Sequence, residues 1–170
     1  MKLLTLCLFS IIVLVSCAQQ ITLVNQFDEV EARKGLQAGK NAIKGSALIK
    51  QNNGGTVTCA GNPVRLIPVT AYSSERIYAI YKNTDRGFNR VMFAPTGSPF
   101  VNDNPAFYQA TKESTCDAQG FFKFDSIADG DFFVVTSVRW SPGGYTYEGG
   151  TLMRRVSLKG GETKEIVLAP

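Results

Sequence analysis

Hydrophobic and polar positions divide the chain into three regimes. The first is a run of apolar residues, Leu3 to Ser16, preceded by Lys2 and followed by Cys17, Gln19 and Gln20. A positive start, a short apolar stretch and a small residue before the polar part are the marks of a secretory signal peptide. The stretch is shorter than the roughly 20 residues of a permanent membrane helix, so removal of residues 1–16 is expected. In the second regime, Asn25 to Ala38, the residues Phe27, Val30, Lys34 and Ala38 recur at helical spacing, with acidic residues early and basic ones late. That order matches the partial charges at the ends of a helix, and Gly39 is placed to cap it.

Beyond Gly39 the period becomes two. Ile43, Ala47 and Ile49 alternate with Lys44, Ser46, Leu48 and Lys50, which predicts a strand with one face inward. The Asn52–Gly55 stretch is a hairpin signal leading to Val57 and Cys59, then to Val64, Leu66 and Val69 around Pro68. Pro68 has no amide hydrogen to donate, so that end is expected at an edge or leaving the sheet. A second helix is predicted over Ser74–Lys82, capped by Ser73, with Ile77, Ile80 and Tyr81 on one face. Residues 83–111 then form a long excursion with one short strand expected at Arg90–Phe93. Strand signals return at Phe121–Phe124, Phe132–Trp140, Thr151–Leu158 and Glu162–Leu168, separated by Gly and Asp. Sequential short strands of this kind predict a mainly β protein, a sandwich of about seven strands with one or two short helices.

Within this pattern Gly120, Phe122, Phe124, Ile127, Gly130, Phe132 and Val134 stand in the order G-x-F-x-F-x-x-[IL]-x-x-G-x-[YF]-x-[VL]. That segment resembles the carboxypeptidase regulatory-like and transthyretin-like families, whose domain is an immunoglobulin-like β-sandwich. The resemblance extends over GSALIK, NPVRLIP and VSLKGGETKEIVL, most of Lys44 to Leu168. It implies a domain at 40–170 in which residues of about 71–112 are an insertion. The period-two phenylalanines account for the motif as an inner sheet face, so it speaks for fold and not for chemistry.

Leu14, Val15 and Ser16 before Cys17 resemble the lipobox of bacterial lipoproteins. This resemblance implies that residues 1–16 are a lipoprotein signal peptide, that Cys17 carries lipid and palmitate-type acyl groups, and that residues 17–39 are a lipidated tether and short helix. Ala18 stands where a sorting aspartate would favour the inner membrane, so the outer membrane is expected, facing the periplasm or the cell surface. An ordinary secretory signal cut near Ala18, leaving a soluble protein, is the alternative.

Of four cysteines, Cys7 leaves with the signal and Cys17 is the lipid site. Cys59 and Cys116 remain as a pair in an oxidising compartment and are expected to be joined. A redox or metal pair is the alternative, without C-x-x-C spacing or a histidine to support it.

The net charge of +4 is spread without blocks, which argues against nucleic acid. With no histidine in the chain, Ser–His triads and the usual zinc sites are excluded. Carboxylates show no spacing that singles out a catalytic pair. Asp125, Asp129 and Asp131 lie in a loop without EF-hand spacing and are read as turn residues. The chain is therefore expected to be non-catalytic and to need no cofactor or metal.

Binding is the remaining class. Rings at Tyr78, Tyr81, Phe88, Phe93, Phe100, Phe107 and Tyr108 interleave with Arg76, Lys82, Arg86 and Arg90, while Trp140, Tyr145 and Tyr147 flank the SPGGY loop. Aromatic and arginine side chains are enriched at interface centres. Tyr78, Tyr81, Arg86, Arg90, Trp140, Tyr145 and Tyr147 are the candidate partner-binding residues, although packing of the insertion onto the sandwich accounts for such rings equally well. The expected function is a membrane-anchored envelope module that docks on a protein partner as an accessory of a larger assembly. Glycan binding, with Trp140, Tyr145 and Tyr147 stacking on sugars, is the alternative, and a carboxylate-dependent hydrolase comes third.

Overall fold

A computed structural model describes residues 20–90, 98–101, 103–143 and 146–170. Cys17, Phe93 and Tyr145 lie outside the described residues.

Helix α1 covers Glu29–Gly35. Asp28 caps it by accepting from the amides of Val30 and Glu31 at 2.8 and 3.0 Å. The chain then runs through β1 (Asn41–Lys50), β2 (Thr56–Thr58) and β3 (Pro63–Pro68) into α2 (Ala71–Tyr81). After β4 (Arg86–Arg90) come α3 (Ala106–Gln109), β5 (Lys112–Thr115), β6 (Phe121–Ile127), β7 (Gly130–Gly143), β8 (Thr146–Leu158) and β9 (Thr163–Leu168). The described residues thus hold nine strands in two sheets, more than the seven expected, because the insertion carries β4 and the short β2 and β5 pair at the margins.

One sheet is centred on β1, which pairs antiparallel with β2 and β6 and parallel with β9. The other has the order β4-β8-β7-β3-β5. Alternation sends Ile43, Ala47 and Ile49 of β1 against Val64, Leu66, Phe132, Val134, Val138, Leu152 and Val156 of the facing sheet, all buried in one cluster. Phe122, Phe124 and Ile127 complete it, so each apolar residue of the sequence motif except the turn glycines is core. Asn41 is a buried polar exception. Its amide donates to Ile127 O and Asp129 Oδ1 at 3.0 and 2.9 Å, and its carbonyl accepts from Gly161 and Glu162 amides at 2.8 and 2.9 Å.

The disulfide joins Cys59, just past β2, to Cys116, just past β5, with Cα atoms 5.8 Å apart. It therefore links one sheet to the other, and both residues are buried.

Several boundaries differ from expectation for identifiable reasons. The first helix is half the expected length and ends at Leu36 rather than Gly39. A Cβ on Gly39 would stand 2.2 Å from Ile127 O, so that glycine serves a close backbone approach. The second helix starts earlier, because Thr70 and not Ser73 is its N-cap: Thr70 Oγ1 accepts from Ser73 N and Ser73 Oγ accepts from Thr70 N, a capping box. Of the strand expected at Arg90–Phe93, residues 91–93 lie outside the described residues; the described strand here is Arg86–Arg90, against β8. Pro68 meets expectation, since β5 pairing stops at Leu66–Lys112 and Pro68 faces only β7 before the chain leaves the sheet. No helix among the described residues is long and apolar enough to cross a membrane.

Candidate functional site: a cleft on the outer face of the five-stranded sheet

The same alternation that buries one face of the five-stranded sheet presents the other to the insertion. Ile67, Phe133 and Met153 on that outer face form a second apolar cluster with Tyr72 and Ile77 of α2 and Phe107 of α3. Phe133 is fully buried there. Gly87 on β4 makes the approach of α2 feasible, since a Cβ there would lie 2.6 to 2.9 Å from the Tyr81 side chain.

α2 and the described residues among 98–111 do not close completely over the sheet. Between them runs a cleft of about 310 Å³. Its floor is made by Arg65, Ile67, Val135, Arg139, Asn89 and Thr151, which come from four strands. Ile77, Ile80 and Tyr81 line one wall, and Phe100, Phe107 and Tyr108 the other.

Arg76 holds the two walls together. Its guanidinium pairs with the Asp103 carboxylate, donates to Tyr72 Oη and Tyr108 Oη at 3.0 Å each, and lies 4.1 and 4.3 Å from the ring centroids of Phe100 and Phe107. Asp103 also accepts from Ser98 Oγ at 2.6 Å and Tyr108 Oη at 2.8 Å. Burial by itself would raise the Asp103 pKa, but the hydrogen bonds from Arg76, Ser98 and Tyr108 outweigh it and hold the carboxyl below its ordinary range. Burial and the bond to Asp103 raise the Tyr108 phenol. Tyr81, bonded to Thr151 across the cleft, is pushed up to about 12 by burial.

The result is a fixed tyrosine face at the rim. Tyr108 is partly exposed, with its ring against Phe107 at 5.4 Å, the Arg65 guanidinium 5.7 Å from its centroid and its hydroxyl tied to Asp103. The tether reaches the same walls. Ile21 exchanges backbone hydrogen bonds with Pro99 O and Val101 N at 2.8 and 2.9 Å, and the amides of Val24 and Asn25 donate to Glu75 on α2 at 2.7 and 2.8 Å.

Of the residues singled out from sequence, Tyr81 lines this cleft. Tyr78 points away from it and is 57% exposed; Arg86 and Arg90 are exposed on β4. Trp140 packs partly against the inter-sheet core, while Tyr147 is 47% exposed at the far end of β8, so the structure does not bring these two into the cleft. Arg65, Asn89, Arg139 and Thr151 were not legible as site residues, because on their strands they occupy the polar, outward positions of any solvated sheet face. Of the aspartates expected in a turn, only Asp129 lies between strands, accepting from Asn41 and Gly160; Asp125 lies on β6, and Asp131 lies on β7, where it accepts from Ser157 and Arg155 across to β8. Among the described residues no group of three Asp, Glu, Cys or His side chains is arranged to hold a metal ion.

No family model matches the chain, and no curated protein matches it significantly. Among solved structures it is similar to a "putative carbohydrate binding protein" (PA1324) from Pseudomonas aeruginosa, with a TM-score of 0.69 and 27% sequence identity. The match covers 86% of this chain and 99% of that one.

Proposed function

We propose that the mature chain is a non-catalytic glycan-binding module of the cell envelope, held at the outer membrane by lipid on Cys17. The observation that carries this reading is the cleft in which a tyrosine face, fixed by a buried ion pair, stands above a floor of arginine, asparagine and threonine. Sugars present apolar C–H faces and a rim of hydroxyls. A mostly apolar cleft with a few fixed polar groups is suited to both, and Tyr108 needs no reordering to stack. The similarity to the Pseudomonas protein supports the same ligand class, and the carboxypeptidase regulatory-like resemblance is compatible with a binding scaffold.

The test is a glycan array followed by calorimetry on the hits. Binding is expected to fall by at least about tenfold in Tyr108→Ala and to survive in Asn52→Ala, an exposed hairpin control. If a broad array retains nothing, or Tyr108→Ala binds as the parent does, the reading is overturned.

One observation favours a protein partner as a second reading. Tyr78 lies one turn from Glu75, which holds Val24, and Val24 is 88% exposed. Crosslinking in intact cells separates the two: a specific adduct lost in Tyr78→Ala supports docking, and recovery of monomer alone at every crosslinker length counts against it.

A further inference from the structure

Three arginines line the cleft and no Asp or Glu does. Two of them are already neutralised. Arg76 pairs with Asp103, and Arg65 Nε lies 3.1 Å from Glu113 Oε2. Arg139 has no carboxylate within 4.0 Å. All 14 Asp and Glu of the chain lie within the described residues, so none is left to pair with it elsewhere. The cleft therefore carries one uncompensated positive charge, at a known place on its floor.

We infer that the ligand of this cleft is an acidic oligosaccharide, and that Arg139 binds the carboxylate of a uronate residue in it. This rests on the glycan-binding reading above and names the class of sugar. A guanidinium presents paired N–H donors in the fork that a carboxylate accepts, and such charge-assisted pairs are roughly twice as strong as neutral hydrogen bonds. The spacing sets the ligand's length. Arg65, beneath Tyr108, is opposite Val135 on β7, and Arg139 is four residues further along that strand, about 13 Å at the usual rise. A chain of two or more rings matches that backbone spacing.

The experiment compares trigalacturonate with its fully methyl-esterified form, matched in length and differing in charge, by calorimetry on the full-length protein. The acid is expected to bind at least about tenfold tighter at low ionic strength, and the difference to shrink as salt screens the pair. Arg139→Gln should erase the preference, the acid losing at least about tenfold more affinity than the ester does, and Arg139→Lys should restore part of it. Equal affinity for acid and ester in the parent protein overturns the inference and leaves the glycan-binding reading standing; this comparison needs no variant to fold. A preference that survives in Arg139→Gln also overturns it, as does tighter binding of triglutamate than of trigalacturonate. Failure of every sugar, neutral or acidic, removes the functional reading together with it.

Discussion

Arg76 of α2 and Asp103 of the segment before α3, 27 residues apart in the chain, form an ion pair whose side chains are 5% and 13% exposed. The pair does not stand alone: two tyrosine hydroxyls and Ser98 hydrogen-bond to it. Removing one partner strands the other as an uncompensated buried charge, at a cost of about 3–5 kcal/mol. Asp103→Ala and Arg76→Ala are each expected to lower the urea midpoint, and the double variant to cost clearly less than the sum of the two. Additive losses in the double-mutant cycle would show that the pair is not coupled.

The same carboxylate sets an acid limit. Its pKa is lower in the folded protein than in the unfolded chain, so its stabilising contribution is complete above the unfolded value of about 4. It is lost as pH falls from there through the folded value. Urea midpoints measured from pH 7 downward are expected to drop below about pH 4, and less steeply in Asp103→Asn. An equal slope in the variant would assign the acid sensitivity to other carboxylates.

Tyr81 sets the opposite limit. Burial stabilises its neutral phenol and pushes its pKa to about 12. Its contribution is therefore complete below the unfolded value of about 10 and is lost as pH rises toward 12. Ultraviolet titration of tyrosinate should show a late-ionising phenol that disappears in Tyr81→Phe; an unchanged curve would contradict the packing of its ring against β4.

Loss of the disulfide acts through the unfolded chain. Closing a 57-residue interval is worth about 4 kcal/mol in the chain-entropy model. Because the bond joins the end of β2 in one sheet to the end of β5 in the other, Cys59→Ala with Cys116→Ala is expected to lower the melting temperature by roughly 8–16 °C, at about 2–4 °C for each kcal/mol in a domain of this size. A loss of under about 1 kcal/mol would mean that the packed core alone defines the sandwich.

The anchor is tested by Cys17→Ser. Fractionation is expected to find the parent in outer-membrane vesicles and the variant in the soluble fraction, with the same circular dichroism. A variant that remains with the membrane would remove the lipid from the proposal. With the anchor in place, Ile21 is four residues from Cys17, so the Pro99–Val101 wall of the cleft lies within about 14 Å of the lipidated residue. Ligands are then met close to the membrane surface.

What the linear sequence determined was the sandwich. Ile43, Ala47 and Ile49, and Phe122, Phe124, Phe132 and Val134, repeat at period two, and a sheet with one buried face has little freedom to place them otherwise. The Cys59–Cys116 bond was legible likewise, as the pair that an expected signal peptide and lipid site leave over. Helix starts were less legible: Thr70 and Ser73 are both good caps, and the reciprocal bond that assigns Thr70 exists only in three dimensions. The cleft was decided by tertiary structure alone. Arg76 and Asp103 lie 27 residues apart, and Arg65, Asn89, Arg139 and Thr151 come from four strands whose order, β4-β8-β7-β3, departs from chain order. Alternation tells which side chains leave the core, but a solvated sheet face and the floor of a cleft have the same polar pattern. Only the packing of α2 and residues 98–111 over that face distinguishes them.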